Sequence, residues 1–333
     1  MNRFLTIVAL AILTGFYSSA RAPSFTIRNH TVVIDGVTSN NPVLYDNDWW
    51  TDVFDNKYLW ARASLGLINL QGQIVTRDMW NWQQGYLYTM EQCRNDARNA
   101  LRQARLAGLR NLPEPVPGAD RVLRPPPSGR IEDTQPLESH GSRLIIEQAR
   151  KAQPHQPLLL ICGGPLTTVA NALLLAPDIA DRIVVFNLTV SDGGYNGKDA
   201  WSAWIVCRRT RYVDWGGGAF WDRDSVFQPA DFDVLPDNPL TGEMKRLIRS
   251  DLGRANQLGD GAPLVWLFEP ACWKRAEPRK AAFREGILRL EPCSRPDEAD
   301  LLVIPKDATD LSACRREFFR VFLQPGLFPS SNQ

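Results

Sequence analysis

The fold and the site that we predict for this chain start from residues 43–59, VLYDNDWWTDVFDNKYL. The apolar run Val43, Leu44 and Tyr45 indicates a β-strand, and a helix-like pattern begins a few residues later. Between them stands a group of acids, namely Asp46, Asp48, Asp52 and Asp55. Carboxylates crowded at the end of a strand repel one another and lose hydration unless a cation sits among them. Because ligands of α/β sheets usually bind at strand ends, this stretch predicts an active-site floor that holds a metal ion.

Strand-like and helix-like segments alternate along the rest of the chain. Apolar or alternating segments indicate further strands at residues 67–76, 158–161, 182–188, 211–214 and 299–304. Helical spacing indicates helices at residues 56–65, 86–107, 138–152, 166–175, 240–252 and 312–323. Residues 201–211 have a mixed pattern, and residues 108–135 are interrupted by prolines. The alternation predicts an open, mostly parallel sheet with helices on both faces, in one domain from 24 to 325 with a tail at 326–333.

The composition is that of a globular protein with a sizeable core, since 44% of the residues are hydrophobic. The net charge is +1 and no basic stripe is present, so nothing indicates a nucleic-acid partner. The eleven tryptophans are an unusual number. Several of them, including Trp49 and Trp80, stand beside polar segments, which suits a ring-binding cleft, and plain core filling is the alternative.

The N-terminus has the pattern of an export signal. Arg3 precedes an apolar stretch at residues 4–16, and small residues at 18–20 or at 20–22 offer a cleavage site, of which the second is the poorer because Pro23 follows it. The stretch is too short for a comfortable membrane span, although an uncleaved anchor is the alternative. We therefore expect a signal peptide at residues 1–22, a secreted or periplasmic protein, and no membrane span after cleavage.

The acids at the end of the first strand favour a hard cation. Carboxylate oxygens suit Ca²⁺ or Mg²⁺ better than Zn²⁺. The alternative is a helix N-terminus, where acids are favoured by the helix dipole, but this accounts for only one or two of the four. A second candidate is the turn at Gly163 and Gly164, which follows an apolar strand and allows close backbone approach. It lacks the length and the lysine of a phosphate-binding loop, so a carbonyl ligand or a structural turn are the two interpretations.

Three motifs together resemble the inosine–uridine-preferring nucleoside hydrolase family. Residues 46–55, DNDWWTDVFD, fit without gaps the D-x-D-M-G-S-D-V-D-D form of that family's first motif. Residues 164–180, GPLTTVANALLLAPDIA, are similar to its G-P-L-T-N-I-A helix, and residues 118–123, GADRVL, look like its loop after the third strand. Gly259 and Asp260 stand where the family has His-Asp. The resemblance runs from about residue 40 to 325 and is weak after 275.

The resemblance implies a Ca²⁺-dependent N-ribohydrolase with an open, Rossmann-like α/β fold. It implies a nucleoside or ribosyl compound as small-molecule substrate and allows a homo-oligomer. Asp48 would be the general base and a metal ligand. The further metal ligands would be Asp55 or its competitor Asp52, the carbonyl of Gly163, and Asp260. The ribose and substrate contacts would come from Asp52, Asp78, Asn81, Asn196, Trp49 and Trp80.

The chain also departs from the family pattern. Trp49 and Trp50 replace Pro-Gly, Phe54 replaces an acid, and Gly259 replaces the histidine that assists the leaving base in many relatives. Two hypotheses follow. The first is a hydrolase of N-glycosidic bonds with a metal-activated water and an aspartate base. The second is a non-catalytic protein that binds nucleosides or sugars on the same scaffold.

Overall fold

The computed structural model describes residues 26–28, 31–33, 40–48, 55–188, 198–214, 227–250, 267–268, 276–305 and 310–329. The predicted signal peptide lies outside these residues, as do four predicted site residues, namely Trp49, Asp52, Asn196 and Asp260. None of the helices within the described ranges is both long enough and apolar enough to cross a membrane.

Strands and helices alternate as the sequence predicts. The strands are β1 (Thr26–Arg28), β2 (Thr31–Val33), β3 (Pro42–Asn47), β4 (Asn69–Val75), β5 (Pro115–Pro117), β6 (Leu158–Cys162), β7 (Ile183–Asn187), β8 (Arg211–Asp214), β9 (Glu277–Arg284), β10 (Ile287–Pro292) and β11 (Leu301–Val303). The α-helices are α1 (Asp55–Ser64), α2 (Met90–Leu106), α3 (His140–Lys151), α4 (Thr167–Leu175), α5 (Ala200–Arg209), α6 (Pro239–Arg249) and α7 (Leu311–Phe322).

The main sheet has the strand order β10-β9-β11-β8-β7-β6-β3-β4-β5. From β5 to β11 all neighbours are parallel, and β9 and β10 extend the sheet as an antiparallel hairpin. The chain runs outward from β3 through β4 to β5 and then returns to place β6 on the other side of β3. The strand order therefore reverses between β3 and β6. In open α/β sheets the crevice at such a reversal is where ligands bind.

Two hydrophobic layers cover the two faces of the sheet. One layer includes side chains of α1, α2, α6 and α7, and the other includes side chains of α3, α4 and α5. Every residue of β6 and β7 is buried, which is expected of parallel strands packed on both faces. The predicted fold class, a mostly parallel open sheet with helices on both faces, is confirmed.

Four elements differ from the sequence expectation. Most of the mixed segment at residues 201–211 belongs to helix α5. The sequence pattern does not indicate this helix, because seven of its residues are buried and no polar face marks the helical period. Strand β5 lies in the proline-interrupted segment, and its prolines are tolerated because it is at the edge of the sheet. The hairpin of β9 and β10 escaped prediction because its strands are charged and mostly half-exposed, without clean alternation.

Candidate functional site

Two of the motifs singled out in the sequence meet at the reversal point of the sheet. Asp46 and Asn47 end β3, and Asp46 pairs with Cys162, the last residue of β6. The backbone N–H of Gly163 donates to the carbonyl of Asp46 at 2.8 Å, so the glycine turn continues directly beside the acids. The acidic strand end and the Gly163–Gly164 turn, far apart in the sequence, therefore form one site.

Asp48 lies against the glycine turn. Its side chain is almost buried, and its backbone N–H donates to the Asn47 side-chain oxygen at 2.8 Å. A Cβ placed on Gly164 would come within 2.8 Å of the Asp48 carboxyl carbon. Heavy atoms do not approach a Cβ that closely, so glycine at 164 is what leaves room for the Asp48 carboxylate.

Two threonines, Thr76 and Thr168, position the Asp46 side chain. The Thr76 hydroxyl donates to Asp46 Oδ1 at 2.6 Å and lies 2.6 Å from the Thr168 hydroxyl oxygen, which accepts the Ala119 N–H at 2.9 Å. Asp46 Oδ2 is buried and has no hydrogen-bond partner within the described part of the chain. Burial raises the Asp46 pKa to about 8, against the opposing effect of the threonine hydrogen bonds. A cation at this strand end would offset that desolvation and favour the ionised form.

The donor atoms described here fit a hard cation. They are the Asp48 carboxylate, the unsatisfied Asp46 oxygen and the Gly163 carbonyl, which accepts no hydrogen bond from the described residues. All three are oxygens, the ligands that Ca²⁺ prefers. The described residues contain no group of three acidic, cysteine or histidine side chains that would hold a metal by themselves. Asp55 begins α1, and its side chain, like Asp52 and Asp260, lies outside what the structure describes.

The predicted substrate residues after β4 come to the same end of the sheet. The Thr76 N–H donates to the Asn47 carbonyl at 3.1 Å, which places the end of β4 beside the end of β3. Asp78 accepts the Trp80 N–H at 2.8 Å. Burial is the main cause that raises the pKa of the Cys93 thiol, and the charges of Asp48 and Asp78 raise it further. Two of the predicted acids therefore lie near one thiol.

Trp80 and Asn81 follow Asp78 at this edge. Trp80 is 37% exposed, so its ring is accessible to a ligand. Asn81 is half-buried and precedes a short 3₁₀ helix at Trp82–Gln84, and its side chain does not cap that helix. The roles predicted for Asp78, Trp80 and Asn81 in substrate binding remain predictions.

Three threonines that support the site have no role in the sequence interpretation. Thr76 and Thr168 position Asp46, and the Thr167 hydroxyl donates to the buried Asp199 carboxylate at 2.7 Å. Burial raises the Asp199 pKa to about 7. Both threonines of α4 belong to the motif that carries the resemblance, but contacts with partners so distant in the sequence leave no local signal.

Comparison with known proteins gives a likeness in structure alone. No family model and no curated protein matches the sequence. A plant nucleoside hydrolase, PpNRh1, superposes with a TM-score of 0.61 at 12% identity, covering 86% of this chain and 99% of the other. A purine-preferring ribonucleoside hydrolase from Gardnerella vaginalis gives a TM-score of 0.58 at 17% identity, with coverages of 84% and 98%. The chain has the nucleoside hydrolase fold.

This fold is shared with a protein of another kind. The type III effector XopQ, solved with adenosine diphosphate ribose, matches with a TM-score of 0.54 at 12% identity, covering 86% of this chain and 94% of the other. Hydrolases and an effector thus use one nucleoside hydrolase scaffold. At such identities the likeness establishes the scaffold of this chain, and its chemistry has to be argued from the site.

Proposed function

We propose that this protein is a hydrolase of N-glycosidic bonds in ribonucleosides or related ribosyl compounds. The observation that carries the proposal is the close approach of the Asp48 carboxylate to Gly164 at the reversal point of the sheet. Cleavage of an N-glycosidic bond passes through an oxocarbenium-like state. Fixed carboxylates beside the ribose stabilise the positive charge that develops in this state.

Asp48 acts in this proposal as general base. Its backbone N–H bonds to the Asn47 side chain, and its carboxylate lies against Gly164. The carboxylate therefore needs little rearrangement to take a proton from the attacking water. Asp46 acts as a positioning residue, since its hydrogen bond with Thr76 fixes the end of β3 from which Asp48 projects. Asp78, after β4, is the candidate for the ribose hydroxyls.

We propose Ca²⁺ as the cofactor. Asp48, the Gly163 carbonyl, Asp260 and either Asp55 or Asp52 would hold it. When bound, the ion would position and polarise the attacking water, and Asp48 would accept the proton of that water. The unsatisfied buried oxygen of Asp46 supports a cation close to this strand end.

The substitution of glycine for the family's histidine at position 259 shapes the expected substrate. Without that imidazole, departure of the base needs another acid or a leaving group that needs none. We therefore expect the highest rates with ribosides whose leaving group is already stable as an anion.

Hydrolysis of nitrophenyl riboside with Ca²⁺ present tests the proposal. Wild type should release nitrophenol well above background, and Asp48→Asn should be at least about 100-fold slower, equivalent to about 3 kcal/mol of transition-state stabilisation. Asp297→Asn is the matched control, since Asp297 is an exposed acid that pairs with Arg295. Equal rates for wild type and Asp48→Asn would remove the enzyme hypothesis.

Thermal unfolding with and without Ca²⁺ tests the metal. The ion binds the folded chain only, so Ca²⁺ should raise the Tm of wild type. Asp48→Asn and Asp260→Asn should each abolish the shift, whereas the surface variant Asp178→Asn should keep it. A calcium shift that persists in both site variants would refute the ligand assignment.

The second candidate is a ribosyl-binding protein without catalysis. It is favoured by the substitutions Phe54 and Gly259 and by the effector on the same scaffold, which was solved with adenosine diphosphate ribose. This candidate is supported if calorimetry shows tight ribose or nucleoside binding that depends on Asp48 while nitrophenyl riboside stays intact.

Export of the protein is a separate proposal, and N-terminal sequencing of the secreted form would test cleavage after residue 22.

A further inference from the structure

Cations and indole rings meet beside the site. The Lys198 ammonium nitrogen lies 5.6 Å from the centre of the Trp80 ring, and the Arg124 guanidinium carbon lies 5.8 Å from that of Trp82. We call these four residues the rim. They come from three segments, the one after β4, the loop after β5 and the residues just before α5. At such distances the ring faces attract the cations and restrain their positions.

The rim is tied to the fold by hydrogen bonds and packing. The Trp82 indole N–H donates to the Lys198 carbonyl at 2.7 Å. The next residue, Asp199, is buried and accepts the Thr167 hydroxyl at 2.7 Å. Trp82 also packs on a small buried apolar cluster that contains Met79. The backbone of Lys198 is therefore anchored from both sides, while its charged end reaches the more exposed Trp80.

The rim lies next to the acids. The Trp80 N–H donates to Asp78, whose charge acts on the same thiol as that of Asp48. The Thr167 hydroxyl, at the start of the helix that follows Gly163 and Gly164, lies 3.4 Å from the Met79 sulfur. The segment that carries both rim tryptophans thus runs from the acids at the strand ends to the start of α4.

The rim cations have no carboxylate partner within the described part of the chain. Many exposed basic side chains elsewhere are paired, such as Arg143 with Glu138 and Lys151 with Glu147. Asp120, an acid in the loop that leads to Arg124, is 3.9 Å from Arg121. Among the described residues, the charged ends of Lys198 and Arg124 contact ring faces and no carboxylate, so both can still bind an anion.

The site and its rim thus have opposite charge. The carboxylates at the strand ends accept hydrogen bonds from sugar hydroxyls and repel an anion, whereas the rim attracts one. A ligand with a neutral sugar and an anionic substituent matches this division. Arg and Lys are the side chains that most often bind phosphate in proteins.

We propose that the rim is a phosphate subsite, and that the pocket prefers phosphorylated ribosyl compounds to free nucleosides. The inference rests on the proposed binding of ribose at Asp48 and adds the class of substrate. Lys198 and Arg124 bind the phosphate oxygens, and Trp80 and Trp82 hold the two cations in place.

Calorimetric titration of the full chain with adenosine, its 5′- and 3′-monophosphates and adenosine diphosphate ribose tests the proposal. Wild type should bind at least one phosphate ester about tenfold more tightly than adenosine, and the esters tell which position carries the phosphate. The double variant Lys198→Met/Arg124→Met should reduce the advantage to about twofold or less and leave adenosine affinity unchanged. The matched control is Lys151→Met/Arg110→Met, which should keep the advantage, since Lys151 ends α3 ahead of the start of β6 and Arg110 bonds through its N–H to Ser64 at the end of α1.

Salt separates a charge effect from a change of shape. Raising the ionic strength from 50 to 300 mM should shrink the advantage of the phosphate ester and leave adenosine binding nearly constant. Equal affinity of wild type for adenosine and all its esters would overturn the phosphate subsite alone. The phosphate subsite would also be overturned if the variant Lys198→Met/Arg124→Met kept the affinity advantage of the phosphate ester over adenosine. Failure of every ligand to bind wild type with Ca²⁺ present would overturn the ribosyl site as well.

Discussion

The bodies and the carboxyl ends of the same strands differ sharply in composition. Within β6 and β7 the side chains are apolar and buried, whereas the residues at and just after the ends of β3, β7 and β8 are buried polar groups, namely Asp46, Asn47, Asp48, Asn187 and Asp214. Burial of polar groups reduces the free energy of unfolding, whereas burial of apolar groups increases it. Stability therefore comes mainly from the strand bodies, whereas the candidate site lies at their ends, so mutations should affect the two separately.

Leu160→Ala should have the largest effect on stability and none on the site. Leu160 is fully buried in the middle of β6, and truncation of such a side chain costs about 3–5 kcal/mol. Chemical denaturation measures the loss, and Leu175→Ala, at a position 39% exposed, should cost much less. The remaining folded protein should keep its calcium shift in Tm. Loss of that shift without a loss of stability would contradict the division.

Asp199→Asn should change how stability depends on pH. The folded pKa of about 7 is above the ordinary value of 3.8. The folded state therefore binds the proton more tightly, and stability falls as the pH rises from about 4 to about 7. The full difference is about 4 kcal/mol at most. Asparagine cannot ionise and still accepts the Thr167 hydroxyl, so the variant should gain on wild type in unfolding experiments above pH 7. An unchanged pH profile would show that Asp199 is not desolvated.

Gly164→Ala should damage the site more than the fold. The new Cβ would collide with the Asp48 carboxylate, and displacing a catalytic group costs about 100-fold in rate. The control is Gly242→Ala in α6, where a Cβ meets nothing within 4 Å and should stabilise the helix by about 0.5–1 kcal/mol. Nitrophenyl riboside assays and thermal unfolding of both variants check the pair. An active Gly164→Ala variant would contradict the placement of Asp48.

Thr76→Val should have the smallest effect. It removes the hydroxyl that donates to Asp46 and should cost about 1–2 kcal/mol, since a buried acceptor loses its partner. Thr210→Val removes a buried hydroxyl that donates to the Ala180 carbonyl, away from the site, at a similar cost. Calcium titrations followed by thermal unfolding should show weaker binding in the first variant alone. Equal calcium affinity in both would remove the positioning role of Thr76.

The strand bodies were predictable from sequence because burial on both faces leaves a clear local signal. The apolar runs before Asp46 and before Gly163 both form strands, and residues 211–214 form β8. Charged and proline-containing strands, β9, β10 and β5, were missed because their formation depends on neighbours at the sheet edge. Local pattern cannot report which strand is available for pairing.

The site was predictable in part. The acids and the glycine turn were chosen for their chemistry, and the sheet brings Asp48, Gly163 and Gly164 together. The threonines that hold Asp46 were not chosen, since a hydroxyl that contacts a carboxylate thirty or more residues away has no spacing to detect. The cation at position 198 was missed for the same reason, because its ring partner lies on another segment.

The most direct test of the site is a crystal structure of the protein soaked with CaCl₂ and ribose. We predict density for ribose between the ends of β3 and β6, with its hydroxyls within hydrogen-bond distance of Asp48 or Asp78, and a calcium ion bound to Asp48. Density for ribose only at another surface, with the end of β3 holding neither sugar nor ion, would contradict the placement of the site.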